Sequence, residues 1–86
     1  MTLADLMLKI RQKLLQARDE KDTRLLNELA ATLAIIDDIC EENFMFERAS
    51  IAQDLRLAAF DTLNGTPWKS ELPTIEQIEQ VFGDEA

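Results

Sequence analysis

The sequence predicts an all-α fold, because the residues that interrupt helices are nearly absent from most of the chain. The first glycine is Gly65 and the first proline is Pro67. The residues before them are rich in Leu, Ala, Glu, Lys and Gln, all of which favour helix. No stretch alternates polar and apolar residues as a half-buried strand does. With 86 residues, 47% of them hydrophobic, the chain is expected to form one helical domain over 1–86.

Capping signals and apolar spacing predict three main helices and a short fourth one. Thr2 starts the first with a weak Thr-x-x-Asp capping box, and Thr74 starts the last with a Thr-x-x-Gln box. The apolar stripe turns by roughly 90° near Asn43, so we expect the break between the second and third helices at this residue. An Asp-x-x-Glu pattern that begins at Asp38 is a competing helix cap. Gly65 is a left-handed helix stop. The expected helices cover about 3–18, 23–42, 44–64 and 75–82.

The spacing of apolar residues also predicts the buried face of each helix. These faces carry Leu3, Leu6, Met7, Ile10, Leu14 and Ala17 in the first helix; Leu25, Leu26, Leu29, Leu33, Ile36 and Cys40 in the second; Met45, Ile51, Ala52, Leu55, Ala58, Ala59, Thr62 and Leu63 in the third; and Ile75, Ile78 and Phe82 in the fourth. Ile35 and Ile39 extend the face of the second helix to about half of its circumference, as expected for a central helix covered on several sides.

Five further apolar side chains lie outside these faces, which is more than one hydrophobic core requires. They are Leu8, Leu15, Phe46, Leu57 and Phe60. A monomer would leave them as an exposed apolar patch, and such patches mark interaction sites. We therefore expect a homodimer that pairs through the first helix, the third helix or both.

The charge of the chain excludes several classes of ligand. Nine basic and seventeen acidic side chains give a formal net charge of −8. A field of this sign repels phosphate backbones and anionic lipids, so we expect neither a direct nucleic-acid partner nor a membrane partner. The second and third helices do not fit a helix-turn-helix either, because the third presents Glu47, Asp54 and Asp61 where base-reading side chains belong.

A cytoplasmic location is expected from the cysteine content and from the start of the sequence. Cys40 is the only cysteine, so it cannot form an internal disulfide, which suits a reducing compartment. No apolar run is long enough to span a bilayer. Charged residues such as Asp5 and Lys9 interrupt any signal-peptide core. The composition is typical of small acidic proteins from bacteria or phages.

The sequence contains few of the side-chain combinations that enzymes use for catalysis. Histidine is absent, so neither a Cys-His nor a Ser-His pair can form. Cys40 lies on the apolar face of the second helix beside acidic neighbours, where a thiol is not activated. We expect no enzymatic activity, and the sequence predicts no catalytic residue, metal ligand or cofactor.

The strongest candidate for a functional site in the sequence is a group of four carboxylates at the junction of the second and third helices. They are Asp37, Asp38, Glu41 and Glu42. They could bind a cation or a Lys/Arg-rich partner, or they could form a solvated acidic corner. A metal-dependent all-α hydrolase needs paired carboxylates on facing helices, and the third helix offers only Asp54 and Asp61, seven residues apart.

Two further residues are candidate contacts for a partner. Arg48 falls within the apolar stripe of the third helix, where it either extends along the edge of the stripe or anchors an interface. Trp68, the only tryptophan, either packs its proline-containing loop onto the helices or forms a binding hot spot.

The sequence therefore favours a small acidic protein–protein interaction module, an adaptor or regulatory subunit that presents a helical groove. The candidate partner contacts are Asp37, Asp38, Glu41, Glu42, Arg48 and Trp68. The first alternative is an acidic inhibitor or nucleic-acid mimic that occupies a basic site on another protein. A carboxylate metal-dependent hydrolase is the weakest of the three.

Overall fold

The computed structural model describes residues 2–69 and 71–83, which form an all-α bundle. The helices are α1 (Leu3–Glu20), α2 (Thr23–Glu42), α3 (Phe46–Leu63) and α4 (Ile75–Phe82). None of the described residues forms a strand, and none of their helices is long and apolar enough to cross a membrane. The predicted fold class and helix order are confirmed, although α1 ends two residues later and α3 begins two residues later than expected.

Side-chain caps start three of the helices. Thr2 forms the predicted reciprocal capping box with Asp5 at the start of α1, and Thr74 forms one with Gln77 at the start of α4. Asp22 caps α2 by accepting a hydrogen bond from the amide of Leu25 at 3.1 Å. These bonds satisfy amide groups that the first helical turn leaves without partners, and each cap contributes about 1 kcal/mol.

Three turns end helices through a residue in the left-handed conformation. Gly65 has a φ of 71° after α3, as its position after Asn64 predicts. Lys21 after α1 and Phe44 after α2 have φ values of 55° and 60°. This conformation costs a residue that carries a Cβ roughly 1–2 kcal/mol. Two of the three helix stops therefore use a residue type that is poorly suited to them.

The core lies between the four helices. Its largest fully buried side chains are Met7, Leu14, Leu26, Leu33, Leu55, Ile78 and Phe82. The most extensive helix pair is α2 with α3, and both of these helices bury alanines such as Ala30 and Ala52, which permits close approach of the two backbones. The segment before α4 is attached to α1, where the Arg11 Nε donates a hydrogen bond to the Pro73 carbonyl at 2.8 Å.

Four apolar residues that were predicted to be buried are exposed instead. Ile35 and Ile39 are 61% and 54% exposed, so the expectation that they widen the buried face of α2 is wrong. The reason is that α2 packs mainly on α3 and less on α1, so the four described helices leave its outer side uncovered. Met45 precedes α3 and Ile75 is the first residue of α4, and both are exposed because they lie at helix starts.

Candidate interaction surface

The turn between α2 and α3 carries the most exposed large apolar side chain of the described residues. Asn43 ends α2, and the amide of Met45 donates to the carbonyl of Cys40 at 2.8 Å, which closes a left-handed helix stop around Phe44. Glycine is the residue that such a position favours. Phe44 occupies it with its side chain directed to solvent, and the residue is 80% exposed.

Phe44, Met45 and Phe46 together form a surface that we call the aromatic corner. The rings of Phe44 and Phe46 meet edge to face with their centroids 6.2 Å apart, a favourable arrangement for an aromatic pair. Phe46 is 63% exposed, and Met45 is also exposed. These residues line a groove of about 500 Å³ together with Glu47, Arg48 and Val81. The aromatic corner is therefore an open apolar surface with a concave side.

The start of α3 at the aromatic corner differs from the starts of the other helices. Met45 is the N-cap residue, and no side chain caps this helix end, whereas Ser, Thr, Asp and Asn are preferred there. Substituting a residue without an acceptor for a capping side chain costs about 1 kcal/mol. The sequence thus places an apolar residue where a polar one would stabilise the fold.

Arg48 forms one wall of the groove. Its Nε donates a hydrogen bond to the Val81 carbonyl at 3.3 Å, and its guanidinium carbon lies 5.3 Å from the ring centroid of the buried Phe82. Arg48 therefore connects the first turn of α3 to the end of α4. These contacts agree with the predicted position of Arg48 along the edge of the apolar stripe. Its role as an interface anchor stays a prediction.

A second exposed apolar surface lies on α3. Leu57 and Phe60 are both exposed, and the Arg56 guanidinium carbon lies 5.5 Å from the Phe60 ring centroid. Gln53 lies seven positions after Phe46, Leu57 lies four positions after Gln53, and Phe60 lies three positions after Leu57. All four residues therefore share one face of the helix. We call Leu57 and Phe60 the α3 patch.

The other two predicted interface residues lie closer to the core. Leu8 and Leu15 are half-buried on α1 and pack against the buried cluster. Of the five apolar residues predicted to exceed the needs of the core, Phe46, Leu57 and Phe60 are therefore the exposed ones, at 63%, 54% and 39%.

The four carboxylates of the acidic group have different environments. Asp37 is only 5% exposed, so the alternative of a solvated acidic corner is wrong for this residue. The Gln53 amide donates to Asp37 Oδ1 at 3.0 Å, and the Arg56 guanidinium lies 3.8 Å from Asp37 Oδ2. Asp37 is buried because it lies four residues after Leu33 and three before Cys40, on the edge of the core stripe. It joins α2 to α3.

The remaining carboxylates face solvent. Glu41 accepts a second hydrogen bond from the Gln53 amide at 3.0 Å, and Asp38 and Glu42 are exposed. Carboxylate oxygens of Asp37, Asp38 and Glu41 lie within 4.8 Å of one another. These three residues could supply oxygen ligands to a divalent cation, although the contacts of Asp37 already use its oxygens inside the protein.

Trp68 packs its loop onto the bundle. Its Nε1 donates a hydrogen bond to the Thr62 hydroxyl at 2.9 Å, and the Arg18 guanidinium carbon lies 4.5 Å from its ring centroid. The ring is half-buried against the core. With Arg18 and Lys21 it lines a cavity of about 530 Å³ beside the end of α3. Its indole donor has a partner within the chain.

Cys40 is a buried residue of α2. Burial raises the pKa of its thiol above the usual value, while the Arg48 guanidinium lowers that pKa and the Asp37 carboxylate raises it by smaller amounts. A thiol with a raised pKa stays protonated at neutral pH and is a weak nucleophile.

Phe44 and Met45 are absent from the contacts predicted from sequence. The sequence does contain one sign of this surface, because Phe44 directly follows the helix-ending Asn43 and no glycine is present to form the helix stop.

Comparison of the chain with protein-family models, with curated proteins and with solved structures found no match.

Proposed function

We propose that this protein is a small, non-catalytic protein–protein interaction module, an adaptor or regulatory subunit. The observation that carries the proposal is the aromatic corner. Phe44 and Phe46 are 80% and 63% exposed, and burial of a phenylalanine side chain contributes about 1.5–3 kcal/mol. A partner that covers both rings would gain most of that free energy, which the isolated chain leaves unused.

The location of the aromatic corner supports binding over packing within the chain. It lies where α2 turns into α3, beside a groove whose further lining residue Val81 belongs to α4. Three elements thus meet around one open apolar surface. Aromatic and methionine side chains are enriched in the centres of protein interfaces, and this corner consists of them.

A non-catalytic role agrees with the chemistry of the polar residues. The Cys40 thiol is buried with a raised pKa, and Asp37 is engaged with Gln53 and Arg56. Neither group is prepared to act as a nucleophile or a general base. The free Cys40 thiol also supports a reducing, cytoplasmic location for the protein.

We further propose that the protein forms a homodimer through the α3 patch. Leu57 and Phe60 are exposed on the side of α3 that faces away from the core, and pairing of two copies would remove both from water. Leu8 and Leu15 are half-buried, so they contribute less surface to such a dimer. Arg56 lies over Phe60 and would form the rim of the interface.

The dimer is tested by multi-angle light scattering at tens of micromolar. The wild type is expected to elute as a dimer, and a Leu57→Gln/Phe60→Gln variant as a monomer. Ile75→Ser, which changes an exposed apolar residue of α4, is the matched control and should remain dimeric. A monomeric wild type at these concentrations would contradict the proposal.

A second candidate function is an acidic inhibitor that occupies a basic site on a partner, because Asp38, Glu41 and Glu42 are all exposed at one helix end. Salt distinguishes the two functions, since screening weakens charge-dominated complexes more than apolar ones. A captured partner that survives high-salt washes supports the interaction module. A partner released at moderate salt, and weakened by Asp38→Asn/Glu42→Gln, supports the inhibitor.

A further inference from the structure

We propose that the cavity of about 530 Å³ beside Trp68 binds a small organic carboxylate, whose apolar body lies against the bundle and whose anionic group is held by Arg18 and Lys21. We call it the Trp68 cavity. Its volume lies within the roughly 300–1,000 Å³ that is typical of small-molecule sites. The inference goes beyond the proposed function and does not depend on it. It is carried by the juxtaposition of apolar and cationic side chains in one cavity wall.

The lining of the Trp68 cavity combines an apolar surface with a few polar groups. Leu26 comes from α2 and Leu63 ends α3, and both belong to the core or pack against it. The ring of Trp68 and the ring of Pro67 close the side that the loop after α3 forms. Apolar walls with a small number of converging polar groups are the usual composition of a ligand site.

The tryptophan wall of the cavity is held in place by the protein itself. Trp68 Nε1 donates a hydrogen bond to the Thr62 hydroxyl at 2.9 Å, and this hydroxyl donates in turn to the Ala58 carbonyl at 2.8 Å. On the other side, the Arg18 guanidinium carbon lies 4.5 Å from the centroid of the indole ring. Walls that are already fixed lose less conformational entropy when a ligand binds, which favours affinity.

The charged groups in the Trp68 cavity favour an anion. Of the described residues that line it, Arg18 and Lys21 are the charged ones and none is acidic, although the chain has a net charge of −8. Thr23, the first residue of α2, also lines the cavity, and the first turn of a helix favours negative charge beside it. The Asp22 carboxylate accepts a hydrogen bond from the Leu25 amide at 3.1 Å as the cap of α2.

The ion pair of Arg18 limits the charge of the ligand. Its Nε donates to Asp19 Oδ1 at 3.3 Å. The two cations of the cavity and this one paired carboxylate together carry a single positive charge, which matches one carboxylate better than a phosphate dianion. Because the bond to Asp19 uses Nε, the two terminal nitrogens of the guanidinium are available as donors to a planar carboxylate.

Trp68 provides a direct readout, because it is the only tryptophan and the sequence contains no tyrosine. The protein is titrated with phenylbutyrate, with phenylbutanol and with phenylbutyl phosphate, which share one apolar body and differ in charge. Binding is followed by Trp68 emission and by amide chemical shifts in ¹H–¹⁵N spectra. The variants are Lys21→Gln and the matched control Lys9→Gln. Each removes one positive charge from an exposed residue, but only Lys21 lines the cavity.

We expect phenylbutyrate to change the emission of Trp68 and to shift the amides of Lys21, Thr23 and residues 62–68. Phenylbutanol should bind about tenfold or more weakly, because it forms no charge-assisted hydrogen bond. Phenylbutyl phosphate should also bind less tightly than the carboxylate. Lys21→Gln should weaken the binding of phenylbutyrate by about fivefold or more, whereas Lys9→Gln should bind it like the wild type.

Several results would overturn the inference. Equal affinity for phenylbutanol would show that charge does not select the ligand, and tighter binding of the phosphate would contradict the single positive charge. An equal loss in Lys9→Gln would indicate attraction by overall charge. Absence of binding, or amide shifts confined to the aromatic corner or the α3 patch, would reject the Trp68 cavity as the site.

The proposed function and this inference fail separately. Phe44→Gly changes the aromatic corner and leaves the lining of the Trp68 cavity intact, so this variant should bind phenylbutyrate like the wild type. Loss of a protein partner in Phe44→Gly therefore tests the interaction module alone, and loss of phenylbutyrate in Lys21→Gln tests the cavity alone.

Discussion

Replacing Phe44 by glycine and by alanine separates the cost of its backbone conformation from the role of its ring. Both substitutions remove the ring, which is 80% exposed and so contributes only about a fifth of the about 1.5–3 kcal/mol that a fully buried phenylalanine provides. Only glycine is free of the left-handed penalty at a φ of 60°. The difference in stability between the two variants therefore equals the strain in this turn minus the entropy that glycine adds to the unfolded chain.

The magnitude follows from two opposing effects. Alanine retains a left-handed cost of about 1–2 kcal/mol, and glycine increases the entropy of the unfolded chain by an equivalent of about 0.5–1 kcal/mol. The difference spans about 0–1.5 kcal/mol. Phe44→Gly should thus be more stable than Phe44→Ala by about 0.75 kcal/mol, or about 3–6 °C in melting temperature for a domain of this size. Phe44→Gly itself should stay close to the wild type.

Thermal and urea unfolding followed by circular dichroism at 222 nm provide the measurement. Lys21→Gly and Lys21→Ala form a matched pair at the other left-handed stop and should show the same order. Ala31→Gly, at an exposed position within α2, should instead lose about 0.5–1 kcal/mol, because glycine disfavours a helix interior. A Phe44→Gly variant that is no more stable than Phe44→Ala would refute the reasoning.

Three further predictions concern polar groups that are buried or half-buried. Asp37→Ala should lower the free energy of unfolding by about 1–3 kcal/mol, because it removes the hydrogen bond from Gln53 to a charged carboxylate and the ion pair with Arg56. Exposed Asp38→Ala should change it by less than about 0.5 kcal/mol in urea titrations. Trp68→Phe should cost about 0.5–1.5 kcal/mol, because it removes the indole donor to Thr62; an unchanged midpoint of unfolding would show that this bond contributes nothing. Above the ordinary thiol pKa of 9.0 the wild type should lose stability with rising pH more steeply than Cys40→Ala, because the raised pKa keeps the folded thiol protonated while the unfolded thiol ionises; parallel pH profiles would contradict this.

Much of the fold follows from local chemistry in the sequence. The capping boxes that begin at Thr2 and Thr74 and the stop at Gly65 define helix ends by bonds within a few residues, so sequence spacing is enough to predict them. The exposure of Leu57 and Phe60 follows similarly from their position off the apolar stripe of α3.

The remaining features depend on how the helices pack together. Asp37 lies at the edge of the core stripe of α2, but the partners of its carboxylate, Gln53 and Arg56, belong to α3. The periodicity of α2 alone does not predict these partners. The spacing of Ile35 predicts a core residue, but no described part of the chain covers α2 on that side. The aromatic corner depends on the left-handed turn at Phe44. Left-handed helix stops are normally recognised in a sequence by a glycine, and Phe44 stands where that glycine would be.

Affinity capture from a nuclease-treated lysate, with wild type, Phe44→Gly and Lys21→Gly as parallel baits, tests the central claim most directly. Both substitutions replace a left-handed residue with glycine, but only one removes an aromatic ring from the proposed interface. The interaction module predicts a partner that wild type and Lys21→Gly retain through high-salt washes and that Phe44→Gly loses. A partner that all three baits retain equally, or none in any of them, would contradict a binding role for the aromatic corner.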